Sequence, residues 1–297
     1  MSFTIFYRRP LFHSLQLQIL FVVSLLLISS IPSPLLALGL TVQPATFLFR
    51  DIPIGTKVKL PVPLSIHNKD KQPHTYAVSP YSPSRLGMSW PEGYQEIPDP
   101  TWFRFEEKEI TIAGGETGFV NMFIEIARSD AYYNQKWVIA LRVTTRVESG
   151  ESIAIAVYPR FLIETENREE IKGRPAGKTG IRPGVLYLSP PFHEKKESIE
   201  IYNNDNIPHT YTIRSEIPPS GIQSQVLPTP SYDWIPNPAW IVPDQDAVEV
   251  ESGEKQSISF HLDITQNESL PLQRWEGLLF FRPDKGPSTF GRVLISP

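Results

Sequence analysis

Two histidines, His74 and His209, stand at equivalent places in the chain, and each opens a His-Thr-Tyr segment. An imidazole is a common metal ligand, so the pair could mark a metal site in each half of the sequence. A closed site needs about four ligands, and we find no second His, Asp or Glu at ligand spacing beside either histidine. The pattern favours strands that begin at these histidines, and we expect neither a metal nor any other cofactor.

Acidic residues offer a second kind of chemistry. Asp70 and Asp205 each lie in an Asn-x-Asp turn, and Glu116 and Glu254 each follow a glycine. Calcium needs about six to eight oxygen ligands and each loop offers one acid, so we expect these side chains to cap their own turns. The sequence has no nucleophile elbow, no His-Glu-x-x-His and no phosphate-binding or dinucleotide-binding glycine loop. We therefore expect no enzyme, although two carboxylates for glycoside cleavage need only be near in space and stay open.

Aromatic residues could build a binding surface. Four tryptophans recur at matching positions of the two halves, which predicts a place in the cores: Trp102, Trp137, Trp240 and Trp275. Other aromatics fall in segments expected to be loops, where the binding residues of a rigid scaffold are concentrated. Exposed aromatics bind protein partners or stack on sugar rings. The candidates are Trp90, Tyr94, Tyr132, Tyr133 and Trp234.

Composition predicts that β-strands position these residues. The chain has 297 residues, 30 of them proline, about twice the average share of roughly 5%. Proline lacks an amide donor and breaks helices, so this content excludes a helical bundle and favours short strands and turns. The absence of cysteine excludes disulfides and thiolate chemistry. A formal charge of -4 without a basic block argues against a nucleic-acid partner.

The N-terminal segment 1–39 has the layout of a secretory signal peptide. It carries Arg8 and Arg9 ahead of an apolar run from Ile19 to Ile31, and it contains no acidic residue. We expect cleavage after Gly39, and a mature chain without a membrane span in the periplasm or outside the cell. An uncleaved membrane anchor is the alternative, since the apolar run could extend toward the roughly 20 residues that span a bilayer.

The rest of the chain reads as a tandem duplication. The segment from Asn68 to Tyr76 recurs from Asn203 to Tyr211, and Gln135-Lys-Trp137 recurs as Gln273-Arg-Trp275. We predict one domain over 40–166, a polar linker over 167–180 and a second domain over 181–297.

Within each copy the apolar residues alternate with a period of two, which predicts strands. The segment from Lys57 to Ile66 alternates along its length, and the copies are expected to close with strands over 153–157 and 290–295. About seven strands per copy, separated by Pro, Gly, Asn and Asp, indicate an all-β protein of two tandem immunoglobulin-like β-sandwiches. A barrel with a similar number of strands is the alternative.

The order of motifs in each copy carries a family resemblance. It runs from Asn68-x-Asp70 and His74-Thr-Tyr76 through Gly115-Glu116 to a strand that begins at Trp137. In this order each half resembles the bacterial extracytoplasmic immunoglobulin-like modules grouped with major sperm protein-like and surface-protein sandwich domains.

A narrower resemblance lies in the segment from Ser152 to Ile163. It is similar to the last strand in the first domain of periplasmic pilus chaperones, where alternating apolar residues complete an unfinished pilus subunit by strand addition. The resemblance implies that Ile153, Ile155 and Val157 offer a strand to a partner. It also implies that Arg160 stands where that family keeps a basic residue.

These observations lead to three hypotheses of function. The first is a non-enzymatic exported protein that binds or scaffolds a protein partner at the cell envelope through edge strands and aromatic loops. The second is a periplasmic chaperone whose partner is a subunit of a surface fibre or pilus. The third is a protein that binds or hydrolyses a polysaccharide, in which Trp90 or Trp234 contacts the sugar.

Overall fold

The computed structural model describes residues 39–146, 154–189, 196–218, 225–263 and 273–296. These residues are almost entirely β-strands, with four single-turn 3-10 helices at Pro83–Leu86, Pro100–Trp102, Asp130–Tyr132 and Pro238–Trp240. No helix among them has the length and apolar character needed to cross a membrane. We call residues 39–166 the first half and residues 179–296 the second half.

The first half contains thirteen short strands. They are β1 (Leu40–Gln43), β2 (Thr46–Ile52), β3 (Lys57–Lys59), β4 (Leu64–Asn68), β5 (His74–Tyr81), β6 (Gln95–Glu96), β7 (Phe103–Phe105), β8 (Glu109–Ile112), β9 (Thr117–Val120), β10 (Met122–Glu125), β11 (Lys136–Thr145), β12 (Ala156–Val157) and β13 (Arg160–Thr165).

The second half contains ten strands. They are β14 (Thr179–Arg182), β15 (Val185–Leu188), β16 (Glu197–Asn203), β17 (His209–Glu216), β18 (Asp233–Trp234), β19 (Ile241–Pro243), β20 (Ala247–Val250), β21 (Lys255–Leu262), β22 (Trp275–Pro283) and β23 (Thr289–Ile295). β14 begins at Thr179, within the segment predicted as a linker.

Each half stacks its sheets around its own apolar core. In the first half the order β2-β13-β11-β5-β8 lies against the orders β1-β4-β9 and β3-β10-β7. In the second half the order β15-β23-β22-β17-β20 lies against β14-β16-β21-β19. The expected all-β fold of immunoglobulin-like sandwiches is confirmed.

The same turn in both halves is built around a buried asparagine. The Asn68 amide donates to the carbonyls of Gln72 and Ile112 at 2.8 and 3.0 Å, and its oxygen accepts the Asp70 N–H at 3.0 Å. Asn203 makes the equivalent bonds to Ile207, Val250 and Asp205. The asparagine thus caps each turn, and in the second copy Asp205 also accepts the Asn206 N–H at 2.9 Å, as the sequence predicts.

The glycine of each Gly-Glu turn adopts a conformation that other residues rarely reach. Gly115 and Gly253 have φ angles of 76° and 72°, in the left-handed region that favours glycine. The turns lie beside the asparagines, because the Asn68 and Asn203 N–H groups donate to the Glu116 and Glu254 carbonyls. The duplicated sequence motifs therefore mark one duplicated hydrogen-bonded corner.

Two predicted strands differ from the structure. The segment from Lys57 to Ile66 is divided into β3 and β4, because Pro61 and Pro63 remove amide donors between them. The counterpart of β23 is β13, and the expected match of 153–157 with 290–295 is wrong. Ile163 lies opposite Trp137 as Ile295 lies opposite Trp275, so the closing strand resumes after Pro159.

Candidate functional site

The central strands of both halves are buried on two faces. In β11 and β13, Ile139 and Ile163 face the first core, while Val138 and Leu162 belong to a separate cluster shared with the second half. We call this shared set the junction cluster. Its buried members are Tyr94, Val138, Leu162, Val226, Leu278, Phe280 and Phe290.

Charged residues interrupt these apolar strands and meet beside the junction cluster. Arg292 of β23 donates through Nε to Oε2 of Glu164 at 2.9 Å and through Nη2 to Oε1 at 2.5 Å. Its Nη1 donates to Glu276 of β22. The Tyr94 hydroxyl donates to Glu164 at 2.5 Å. A bidentate pair of this kind is strong and fixes direction as well as distance.

The same charged groups also bind the segment that follows residue 225. Arg50 of β2 lies 3.7 Å from Glu164 and donates to the carbonyls of Leu227 and Pro228. The Thr229 N–H donates to Glu276 at 2.5 Å. Glu164 thus accepts hydrogen bonds from both halves. We call Arg50, Tyr94, Lys136, Glu164, Glu276 and Arg292 the junction network.

Burial and charge shift the pKa values of the junction network in opposite directions. Burial alone would raise the pKa of Glu164, but the charges and hydrogen bonds of Arg292, with Arg50 and Lys136, hold it at about 2. Burial lowers the pKa of Lys136 to about 8, with Glu164 opposing this shift and Arg292 adding to it. Burial and the Glu164 charge raise the pKa of Tyr94 well above its usual range. The network therefore contains an ionised Glu164 and a lysine whose charged form is disfavoured by burial.

A second feature is the open edge of β12. Val157 lies opposite Val143 of β11, and the Thr145 N–H donates to the Ile155 carbonyl at 3.1 Å. Alternate residues of an antiparallel ladder face the neighbouring strand, so the peptide groups of Ile155 and Val157 face β11 and those of Ala156 face away. No strand in the described parts of the chain pairs with this outer edge.

The open edge exists because β2 covers only the following strand. β2 pairs with β13 from Arg160 onward, and the Arg160 N–H donates to the Ala45 carbonyl at 2.9 Å. Val157 packs against the first core and is half-buried, as is Ile155. Ile153, the third residue predicted to contact a partner, lies outside the described residues.

Arg160 lies next to the open edge, and its guanidinium is already hydrogen-bonded. It donates to the Ser89 carbonyl and, at 3.2 Å, to Oε1 of Gln225 in the second half. With Tyr158, Gly87 and Met88 it lines a shallow pocket of about 370 Å³. Its Nε is buried without a hydrogen-bond partner among the described residues.

The aromatic candidates are less exposed than their loops suggested. Tyr94 and Tyr133 are only 2% and 8% exposed, so their predicted exposure is wrong. Tyr94 enters the junction, and Tyr133 lies under the guanidinium of Arg168. Tyr132 is half-buried with its ring centroid 4.9 Å from that of Trp102.

Trp90 and Trp234 are half-buried and pack against the junction cluster. Binding to a partner or a sugar through them stays a prediction. The core placement is confirmed for Trp102, Trp137 and Trp240, which are buried, and Trp275 packs partly buried against the second core.

The two histidines have acidic neighbours that sequence reasoning missed. His74 Nε2 lies 3.1 Å from Asp70, and His209 lies 2.8 Å from Asp284 and 3.4 Å from Asp205. The first and last pairs are four residues apart across the turn, a spacing that could have revealed them. Within the described ranges no three His, Cys, Asp or Glu side chains form a group that could hold a metal.

The junction network was also missed, although the sequence carries a sign of it. Lys136 and Glu164 stand at the ends of apolar runs, and Glu276 and Arg292 stand within them. A charged residue in a strand that is otherwise apolar on both faces must find a partner, because an unpaired buried charge is costly. The pairing itself is not visible in the sequence, since Glu164 and Arg292 are 128 residues apart.

No protein-family model matches the chain, and no curated protein matches it. Among solved structures it is similar to a protein of unknown function from Porphyromonas gingivalis W83, with 14% identity, a TM-score of 0.32, and coverage of 87% of this chain and 99% of that one. It is also similar to the E. coli chaperone DraB, with 8% identity, a TM-score of 0.31, and coverage of 86% and 98%. For the periplasmic chaperone SfaE the values are 12%, 0.28, 87% and 100%. Sequence identities and TM-scores of this size do not show a function for this chain.

Proposed function

We propose that this chain is a non-enzymatic, exported protein that binds an extended segment of a partner protein by strand addition at β12. The observation that carries the proposal is the outer edge of β12, with which no strand of the described residues pairs and toward which the peptide groups of Ala156 face. An exposed strand edge is a template for a further strand, and its main-chain hydrogen bonds supply affinity. Export is proposed from the signal-peptide layout of residues 1–39.

Side chains at the edge would supply specificity. Ile155 and Val157 lie on the same face of the strand and are half-buried, so apolar side chains of an added strand could extend the first core beside them. The more specific form of the proposal is a chaperone role, in which the added strand belongs to a subunit of a surface fibre that lacks one strand of its own sandwich.

The junction cluster and the junction network hold the strand edge of β12 on a rigid support. We propose that the two halves are duplicated domains, held in one arrangement by the junction cluster and by the ion pairs of Arg292. A fixed platform lowers the entropic cost of ordering a strand on its edge, because only the partner segment must become ordered.

A peptide titration on the full chain tests the proposal. The probe is a capped peptide of about nine residues in which valine and threonine alternate between terminal glutamates, the strand pattern that the edge would recognise. We expect saturable binding, a loss of at least about tenfold for Ala156→Pro, and no loss for Ala156→Val. Proline removes only the outward-facing N–H, and edge strands tolerate it.

The matched valine variant keeps the N–H and favours a strand. Equal affinity of the proline and valine variants, with thermal unfolding unchanged in both, would overturn the proposal. An absence of binding by the original chain would overturn it as well.

A further inference from the structure

A cleft of about 630 Å³ opens between the two halves, separate from β12. Its walls come from residues 90–96 of the first half, from Gly177 and Lys178, and from residues 286–288 of the second half. The walls are tied to each other, since the Gly93 N–H donates to the Ser288 hydroxyl at 3.2 Å and the Gln95 amide donates to the Thr179 carbonyl at 2.5 Å. The cleft is therefore a formed feature of the fold.

Most charges at the cleft are already neutralised. Glu92 accepts two hydrogen bonds from Arg282, at 2.5 and 3.1 Å, and Arg282 also binds Glu216. The Lys178 ammonium lies 3.1 Å from Asp205. Arg282 and Lys178 thus each have a carboxylate partner.

Glu96 is the exception. It lines the cleft from β6, and its Oε1 is shielded from solvent without a hydrogen-bond donor. No cationic side chain among the described residues forms an ion pair with it. A shielded carboxylate oxygen without a donor is unfavourable, and a cation that entered the cleft would relieve this cost.

An indole stands in the same wall. Trp90 is half-buried, and its Nε1 donates to the Tyr94 carbonyl at 2.9 Å, which fixes the ring beside the cleft. The face of a tryptophan attracts cations, and a planar guanidinium both stacks on such a ring and donates to a carboxylate. The cleft lining thus contains an indole and a carboxylate, the two kinds of group that attract a guanidinium.

We infer that this cleft binds a cationic side chain of a peptide, arginine in particular, between Glu96 and Trp90. The site does not depend on strand addition at β12, so each can fail without the other.

The test uses the full chain labelled with ¹⁵N, with N-acetyl-arginine methylamide as the probe. The indole N–H signal of Trp90 is the readout, assigned from its disappearance in Trp90→Phe. Citrulline has nearly the same shape without the charge, so N-acetyl-citrulline methylamide is the matched ligand control. We expect saturable shifts with the arginine compound and binding at least about tenfold weaker with citrulline, since hydrogen bonds to a charged group exceed neutral ones.

Glu96→Gln should weaken arginine binding by at least about tenfold, because it removes the charge at nearly constant shape. Glu107→Gln removes an equal charge from an exposed site outside the cleft lining and should leave binding unchanged. Equal shifts with arginine and citrulline in the original chain would overturn the inference, and this comparison needs no variant. Unchanged arginine binding in a folded Glu96→Gln protein would also overturn it.

Discussion

Glu164 of the first half and Arg292 of the second half form a bidentate ion pair, with nitrogen–oxygen distances of 2.9 and 2.5 Å. Arg292 is 2% exposed, and its Nη1 donates to Glu276 and to the Leu227 carbonyl. Removing one partner of such a pair leaves an uncompensated buried charge, which costs more than the pair itself contributes.

Glu164→Gln should therefore lower the free energy of unfolding by about 3 to 5 kcal/mol, as measured by urea denaturation at neutral pH. Glu166→Gln is the matched control. Glu166 pairs with Arg168, and both side chains are partly exposed, so its loss should cost less than about 1 kcal/mol. Equal destabilisation by the two variants would contradict a structural role for the junction network.

Acid should remove the contribution of Glu164. Its folded-state pKa is about 2, below the ordinary value of 4.5, so the ionised form stabilises the fold. This stabilisation is complete above about pH 4.5 and is lost as the pH falls toward 2. The difference in unfolding free energy between the original chain and Glu164→Gln should narrow over that range. A constant difference from pH 5 to pH 2 would show that the charge of Glu164 does not act.

Lys136→Met should stabilise the chain at pH 7. The folded-state pKa of Lys136 is about 8, below the ordinary 10.5, so its charged form opposes folding. That penalty is complete below about pH 8 and fades as the pH rises toward 10. We expect the methionine variant to gain at most about 3 kcal/mol in unfolding free energy, because the lowered pKa of Lys136 corresponds to a penalty of that size.

The difference in unfolding free energy between Lys136→Met and the original chain should decrease steadily from pH 8 to pH 10. Lys178→Met, which alters a largely exposed side chain, is the control and should show no such trend. A methionine variant that is less stable at pH 7 would mean that the ring contact of Lys136 with Phe290, at 4.7 Å, outweighs the burial of its charge.

The duplicated corners should respond alike to mutation. Asn68→Ala and Asn203→Ala each leave buried carbonyls without a donor, and each should lower the unfolding free energy by about 1 to 3 kcal/mol. Asn206→Ala in the same turn removes an exposed side chain and should change it by less than about 0.5 kcal/mol. A large loss for one buried asparagine and none for the other would contradict the structural equivalence of the corners.

The sequence predicted what depends on local chemistry. Alternating apolar residues predicted the strands, and repeated asparagine, glycine and tryptophan predicted the duplicated corners and cores. It did not predict contacts that depend on how the halves pack. Tyr94 looked like a loop residue because the strands that bury it, β13 and β23, lie far away in the chain. The sequence also predicted the wrong closing strand for the first half, because the apolar alternation in 153–157 resembles that of a complete strand, whereas the closing strand β13 follows Pro159.

Hydrogen exchange at the amide of Ala156 tests the central claim most directly. That amide faces away from β11, whereas the amide of Val157 faces β11 and serves as an internal reference. In the ¹⁵N-labelled full chain, a saturating amount of the valine–threonine peptide should slow exchange at Ala156 at least about tenfold and leave Val157 unchanged, since an added strand would bond the outer edge. Peptide binding without any slowing at Ala156 would contradict strand addition.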